Sequence, residues 1–598
     1  MLLSTKQKIL YPAFFIVAAV FFSFLVSPGY QSFVSDQTIF IPLVYRALDP
    51  ALFPNDLSWF EVMHTKRTLM TDFILLFVRG GIDIFWVLFL LAVVSRLVLL
   101  ASLYAVIRFF TERQRVALFI LLFFVTPFFI PGTGHTTVEN TFNYRTVAIA
   151  TSFLFLALYL YGKRLLSLTP LLFGFTIHPI TTMPFFMFYY VHTALNFYKK
   201  REYRPVLFAL TPILFVAAFL IYRNIDMGGG FFLLMDTEWR NLAQGRNDPA
   251  FFVFWDTHSF ISLLSWIILL VIAFLKIQEF VPDKNKRVVI LILLAVPTIS
   301  LFIAALGEYF MLYGIIQLNF QRGLLLLSFF VPALFGIYSL WHAKQHPHVF
   351  IKNWLLFSVI LWFLFKPDFV FMREQFVFFI PSITILLLGE KNRRLTITAL
   401  GASLAVAAVG AFAYNDTISL VAMFLLLAGG FIIALAYKYA GSGAEELYKK
   451  ALLLAPPLLI AVSLFYLSRF TIYPYFYYNT QYREACDWVQ NNTDKDDVFI
   501  VEPFAFNGDE PSEFRLACFR PIFTTFEDGS PPYEPRDVSF EWKHRQTLAH
   551  SIKDDWGVLE NIKSEYRVDY LFSDSALDIP AQHTLAYSNE RFFIYQLR

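Results

Sequence analysis

Apolar residues occur in blocks long enough to cross a bilayer, and short polar stretches separate them. A helix needs about 20 apolar residues to span roughly 30 Å of hydrocarbon. Blocks of this kind lie at 9–27, 83–107, 115–131, 145–161, 205–222, 259–277, 288–306, 323–341, 352–366, 375–389, 395–413, 417–436 and 450–467. The stretch 165–198 is also apolar but is interrupted at Thr169-Pro170, His178-Pro179 and Met183-Pro184. It is expected to form two spans or half-spans meeting near His178. The blocks do not alternate as barrel strands do. In lipid a helix satisfies its own backbone groups, so the pattern predicts a polytopic α-helical membrane protein with about 13–15 transmembrane helices.

Beyond residue 478 the texture changes. Tyr482–Asn491 has helical spacing, and Val498–Val501 and Tyr570–Phe572 read as short buried strands. Thr584–Tyr587 and Phe592–Tyr595 flank a polar turn and predict a hairpin. Phe504–Pro535 is rich in Pro, Gly and acids and reads as a long loop. Two domains are expected: a multi-spanning domain over 1–478 and a soluble α/β domain over 479–598. Long loops at 28–82, 132–144, 223–258 and 307–322 interrupt the first, and loops held on a rigid scaffold are where function concentrates.

Composition agrees with the membrane reading. Hydrophobic residues make up 57% and charged residues 16% of the 598, with 72 Phe and a mean hydropathy of +0.57. A soluble domain carries about 25% charge, so soluble, disordered and collagen-like classes are excluded. The net charge of +3 conceals an acidic tail, where 479–598 hold 12 Lys and Arg against 22 Asp and Glu. No basic stripe suggests a nucleic-acid partner. Basic groups cluster at Lys163-Arg164, Lys199 to Arg201, Lys284 to Arg287 and Lys391 to Arg394. By the positive-inside rule these face the cytoplasm. The N-terminus is then inside, and the long loops and the tail are extracytoplasmic. The segment from Ile9 lacks a cleavage pattern and is expected to be a retained first span.

Several residues carry candidate chemistry. Asp36 follows the first span closely, where a carboxylate can serve as a general base or hold a divalent metal; otherwise it is a solvated loop acid or the N-cap of a helix over 37–47. Asp49 and Asp56 are similar in kind. His64, Lys66 and Arg67 form a basic cluster suited to a phosphate, or simply to headgroups. His135, Glu139 and Arg145 follow on the second loop, and Glu308, Gln317, Gln321 and Arg322 on the fourth. Arg145 and Arg322 each open a span on the face where the topology rule does not favour cations, and a guanidinium offers forked donors for phosphate. His178 and Arg96 lie at membrane depth, where a polar side chain is a functional candidate by default. Cys486 and Cys518 are the only cysteines; both sit in the domain placed outside, where a disulfide persists.

No GxxxxGK[ST], GxSxG or HExxH occurs. In its layout, in Asp36 within the text SDQTIFIPLVYRALDPALFPNDLSWF, and in NYRTVAIA, TIHPIT, REACDWVQNNTDKDDVFIVEP and EWKHR, the chain resembles the GT-C-fold membrane glycosyltransferases, in a bacterial branch of that group. The resemblance implies transfer of a sugar from a polyprenyl-phosphate donor to an acceptor at the outer face of a bacterial inner or cytoplasmic membrane. It implies Asp36 as the base, with Arg145, Arg322 or the His64–Arg67 cluster on the leaving phosphate. The partners are then the lipid bilayer and a lipid-linked sugar. Asp36 stands without a neighbouring second acid, so a divalent metal is compatible with the sequence but not required by it. The rival classes are a transporter or flippase of lipid-linked sugars, which would use Arg96, His178 and the broken 165–198 segment, and a non-catalytic envelope assembly protein.

Overall fold

The computed structural model describes residues 5–25, 30–32, 36–54, 56, 68–125, 127–133, 135–200, 210–218, 233–246, 251–345, 472–474, 477–505, 513–529 and 534–597. Among them are three helical runs long and apolar enough to cross a membrane: Ile84–Thr111, Lys284–Tyr309 and Tyr313–Tyr338. The first, 28 residues, reaches about 42 Å at 1.5 Å per residue. Shorter apolar helices cover Leu10–Phe24, Tyr144–Leu160, Arg164–Ile177 and Ser259–Ile268. Of the block at 205–222, residues 210–218 are described and are helical. The blocks from 352 to 467 lie outside the described residues.

The elements that position the polar residues are α1 (Thr5–Leu25), α2 (Gln37–Leu48), α3 (Leu69–Arg79), α4 (Ile84–Thr111), α5 (Gln114–Leu121), α6 (Tyr144–Leu160), α7 (Arg164–Ile177) and α8 (Pro179–Lys200). The expected break falls at His178, between α7 and α8, because Pro179 has no N–H to continue the ladder. The block at 115–131 is not one helix. It ends as a 3-10 turn at Phe124, ahead of Pro127, and gives way to a small antiparallel ribbon of β1 (Phe129–Ile130) and β2 (His135–Thr136). The first long loop is itself structured, since α2 and α3 both lie in it. Further on come α9 (Thr237–Arg246), α10 (Thr257–Phe280), α11 (Lys284–Tyr309), α12 (Tyr313–Gln317), a 3-10 turn over Phe320–Leu324 and α13 (Leu325–Gln345).

The C-terminal region is a mixed α/β unit. Its elements are α14 (Thr480–Asn492), β3 (Phe499–Ile500), α15 (Glu513–Cys518), α16 (Arg536–Ser551), α17 (Gly557–Tyr566), β4 (Tyr570–Ser573), β5 (Thr584–Ser588) and β6 (Phe593–Gln596). The strands order as β3-β4-β6-β5, with β3 parallel to β4 and the rest antiparallel. Strand alternation sends Phe499, Phe572 and Ile594 to one face, against Ala485, Val489 and Phe514. Ile500, Leu571 and Tyr595 go to the other, against Ala549, Ile552, Leu559 and Ile562. The stretch read as a long loop therefore hides α15, whose Phe514, Leu516 and Cys518 are buried. Cys486 and Cys518 are joined by a disulfide, with Cα atoms 4.5 Å apart.

Polar contacts tie this unit to the long loops of the helical region. Asp49 pairs with Lys495 at 2.7 Å, and Arg536 with Asp236 at 2.6 Å and Glu238 at 3.2 Å. Arg515 reaches Asp56 and Asp528, each at 2.7 Å. The described parts of the loops 28–82 and 223–258 that carry Asp49, Asp56, Asp236 and Glu238 thus lie on the same side as the C-terminal unit. Lys286, in a cluster expected to face the cytoplasm, pairs with Glu112 of the connection between α4 and α5 at 2.5 Å.

Candidate functional site

Asp36 stands at the N-cap position of α2 but its carboxylate makes no capping bond. It lies instead 3.5 Å from Nη2 of Arg145, with 44% of the side chain exposed. The start of α2 is held against the second loop. Gln37 donates to the Phe142 carbonyl at 2.9 Å, and Phe40 stacks on Tyr144 with ring centroids 4.5 Å apart. Apolar burial of Phe40, Ile41 and Val44 fixes the helix face that leaves Asp36 beside Arg145.

Arg145 opens α6, where the positive end of the helix dipole disfavours a cation. Compensation comes from Glu139, whose Oε1 accepts from Nε at 2.5 Å, and from Asp36. Glu139 is anchored in turn: its Oε2 accepts from Asn143, the α6 N-cap, and its carbonyl accepts from Arg96. Arg96 also donates to the Ser23 hydroxyl at 3.0 Å and lies over the Phe24 ring. Its role is to brace the second loop against α1.

His135 joins the two arginines. Its Nε2 lies 3.0 Å from Nη1 of Arg145 and 3.3 Å from Nη2 of Arg322. A guanidinium only donates, so Nε2 must offer its lone pair and the imidazole is neutral. Burial, followed by the charges of Arg145 and Arg322, depresses the His135 pKa well below its usual value. Arg322 extends the chain to His178, with Nη1 to Nε2 at 3.5 Å, and His178 Nδ1 meets the Thr181 hydroxyl at 3.0 Å.

Two glycines make these approaches sterically feasible. Gly132 has φ +65°, and a Cβ there would fall about 1.9 Å from the Trp255 ring, so the turn that leads from β1 to His135 on β2 needs glycine at this position. Gly323, beside Arg322, packs so closely on α11 that a Cβ would lie 2.4 Å from Ser300 Oγ.

Six of the residues singled out in the sequence thus form one connected polar chain: Asp36, Glu139, Arg145, His135, Arg322 and His178. Others are placed differently. Glu308 is buried and accepts from the backbone N–H groups of Phe252 and Val253 at 2.7 and 3.3 Å. Its carboxylate holds the turn ahead of α10. Gln317 donates to the Tyr313 hydroxyl at 3.3 Å. His64, Lys66 and Arg67 lie outside the described residues. Asp56 is fully enclosed by Arg515 and the Ile522 N–H, a structural placement rather than an open one.

Asp494, Asp496 and Asp497 bring carboxylate oxygens within 4.8 Å of one another and can hold a divalent cation, although Arg567 already pairs with Asp496 at 3.0 Å. This group was not singled out in the sequence, where it reads as an ordinary acidic turn.

A family model described as a domain of unknown function, DUF6798, matches residues 480–548. The match covers α14, β3, α15 and most of α16, including both cysteines and Arg515. Comparison of the chain with curated proteins gives no match.

Proposed function

We propose that the protein is a membrane glycosyltransferase of GT-C-like layout that moves a sugar from a polyprenyl-phosphate donor to an acceptor hydroxyl at the outer membrane face. The observation that carries this reading is the chain from Asp36 through Arg145 and His135 to Arg322. A half-exposed carboxylate stands beside one guanidinium, that of Arg145, which the His135 imidazole links to a second, that of Arg322. In the reaction the acceptor oxygen attacks the anomeric carbon as the bond from that carbon to the phosphate oxygen breaks. Asp36 takes the acceptor proton, and the polyprenyl phosphate leaves with the bonding electrons. Arg145 and Arg322 offset the charge that develops on it. His135, neutral, takes no proton from the acceptor; it keeps the two guanidiniums apart and oriented.

Support against the transporter alternative comes from Arg96. It is buried and engaged with Ser23 and the Glu139 carbonyl, a bracing role rather than a place along a solvated path. The test is direct. The full-length protein in nanodiscs is given radiolabelled polyprenyl-phosphate sugars and a mixture of envelope glycans. Release of polyprenyl phosphate that depends on acceptor and is lost in Asp36→Asn is the expected result. Unchanged polyprenyl-phosphate binding in Arg145→Gln and Arg322→Gln, with no turnover by the native protein, would overturn the reading.

A further inference from the structure

The outward side of α3 is apolar. Met70, Thr71, Ile74 and Leu75 pack inward, while Leu69, Phe73 and Leu76 face outward, 41%, 42% and 66% exposed. Their spacing of four and three residues puts them on one helical stripe. A helix that meets water carries polar residues on that side. The two charged residues of α3, Asp72 and Arg79, instead fall together along one edge of the stripe, as 3.6 residues per turn requires. With 11 residues, α3 is about 16 Å long, too short to cross roughly 30 Å of hydrocarbon.

The stripe continues into a helix of spanning length. A turn with Gly81 at φ +86° joins α3 to α4 and exposes Ile82. Trp86, Leu90 and Val94 then follow at four-residue intervals on the outside of α4. Tyr477 and Tyr478, just ahead of the C-terminal unit, are also exposed, and Tyr477 packs edge-on against Phe85 with centroids 5.3 Å apart. Exposed Trp and Tyr at the end of a span mark the boundary between membrane and water. We propose that α3 lies in the plane of that boundary, in the leaflet on the side of the C-terminal unit. Leu69, Phe73 and Leu76 sit among the acyl chains, and Asp72 and Arg79 face the headgroups. Lipid is the occupant because the exposed face of α3 is continuous with the outward face of α4. The inward side of α3 reaches the candidate site: the Thr71 and Tyr144 hydroxyls are 2.7 Å apart, and Arg145 follows Tyr144. On this placement Asp36 and Arg145 stand close to the level of the headgroups.

The experiment measures depth. Leu69→Cys, Phe73→Cys and Leu76→Cys are made singly in the full-length protein, labelled with a nitroxide and placed in nanodiscs. The native cysteines are joined to each other and take no label. Val94→Cys on α4 gives the reference for the acyl core, and Asn491→Cys, at an exposed position of the C-terminal unit, the reference for water. Collisions with oxygen and with a water-soluble nickel chelate report how deep each label lies. The three α3 labels should share one depth, about 5–10 Å below the phosphates and shallower than Val94. Labels as open to the chelate as Asn491, as deep as Val94, or shielded from both reagents would overturn the placement. Three sites on one stripe keep the test intact should one variant fail to fold. None of these outcomes depends on sugar transfer, so the two proposals stand or fall separately.

Discussion

Asp56 and Arg515, 459 residues apart in the chain, meet in a two-bond ion pair of 2.7 and 3.0 Å. Both side chains are almost wholly buried, and Asp528 shares the guanidinium from its other edge. Although burial works against its charge, the two carboxylates hold Arg515 firmly protonated, with its pKa raised. The pair fastens α15 to the loop that carries Asp36. Breaking a buried pair leaves uncompensated charge and typically costs about 3–5 kcal/mol. Arg515→Met should therefore lower the apparent melting temperature sharply and expose the C-terminal unit to limited proteolysis. Adding Asp56→Leu should recover part of the loss, because an apolar pair replaces one buried acid. If Arg515→Met melts like the native protein, the anchoring role is wrong.

The Cys486–Cys518 bond closes a loop of 32 residues in sequence separation and links α14 to α15. Chain entropy alone gives about 3–4 kcal/mol for a loop of that size. The double variant Cys486→Ala, Cys518→Ala should unfold its C-terminal unit at lower denaturant by that amount. Thiol labelling of the unfolded, oxidised native protein should find no free thiol; labelling of both would exclude the bond.

Exchanging Asp36 for Asn keeps the size of the side chain and removes the base. Transfer should fall roughly 10²–10⁴-fold, with little change in stability because the carboxylate is half-exposed and caps nothing. Arg145→Gln should behave differently, since Glu139 would be left beside an uncharged partner. Both donor binding and stability should drop. Equal, small effects of the two changes would mark Asp36 as an ordinary loop acid.

His135 gives a pH signature. Its folded pKa is depressed, first by burial and then by Arg145 and Arg322, whereas the unfolded side chain titrates near about 6.5. Above about pH 6.5 both states are neutral and His135 contributes no slope. Below it the unfolded state takes up a proton that the folded state refuses, so stability falls as pH drops, by up to about 1.4 kcal/mol per unit. Melting of the native protein and His135→Asn between pH 7.5 and 5 should show a shallower acid loss in the variant. Parallel curves would remove His135 from the linkage.

Topology is testable independently. A reporter active only in the cytoplasm, fused after Arg598, should be silent, and one active only outside should work. The loops 28–82 and 223–258 contact the C-terminal unit. A cytoplasmic reading would therefore move Asp36 inside with it and end the outer-face mechanism.

Much of this architecture is written in local pattern. Apolar runs announce helices because a lipid-facing or buried helix must be apolar over many residues, and α4 and α11 follow them closely. A short continuous apolar run announces β4, which is buried on both faces, and two runs around a polar turn announce β5 and β6. Two cysteines in one domain leave a single intramolecular pairing. Arg145 and Arg322 stand out because the positive-inside rule does not favour a cation at the start of a span expected to open outside. What local pattern cannot carry is which distant groups meet. That His135 links the two arginines while Glu308 turns to the Phe252 and Val253 amides depends on how α6, α11 and the 3-10 turn before α13 pack. Arg515 reads as one cation in an acidic tail, and only its burial against Asp56 makes it an anchor. Periodicity records which face of an element is apolar, whereas the partner of a buried charge is chosen by the tertiary packing that removes it from water.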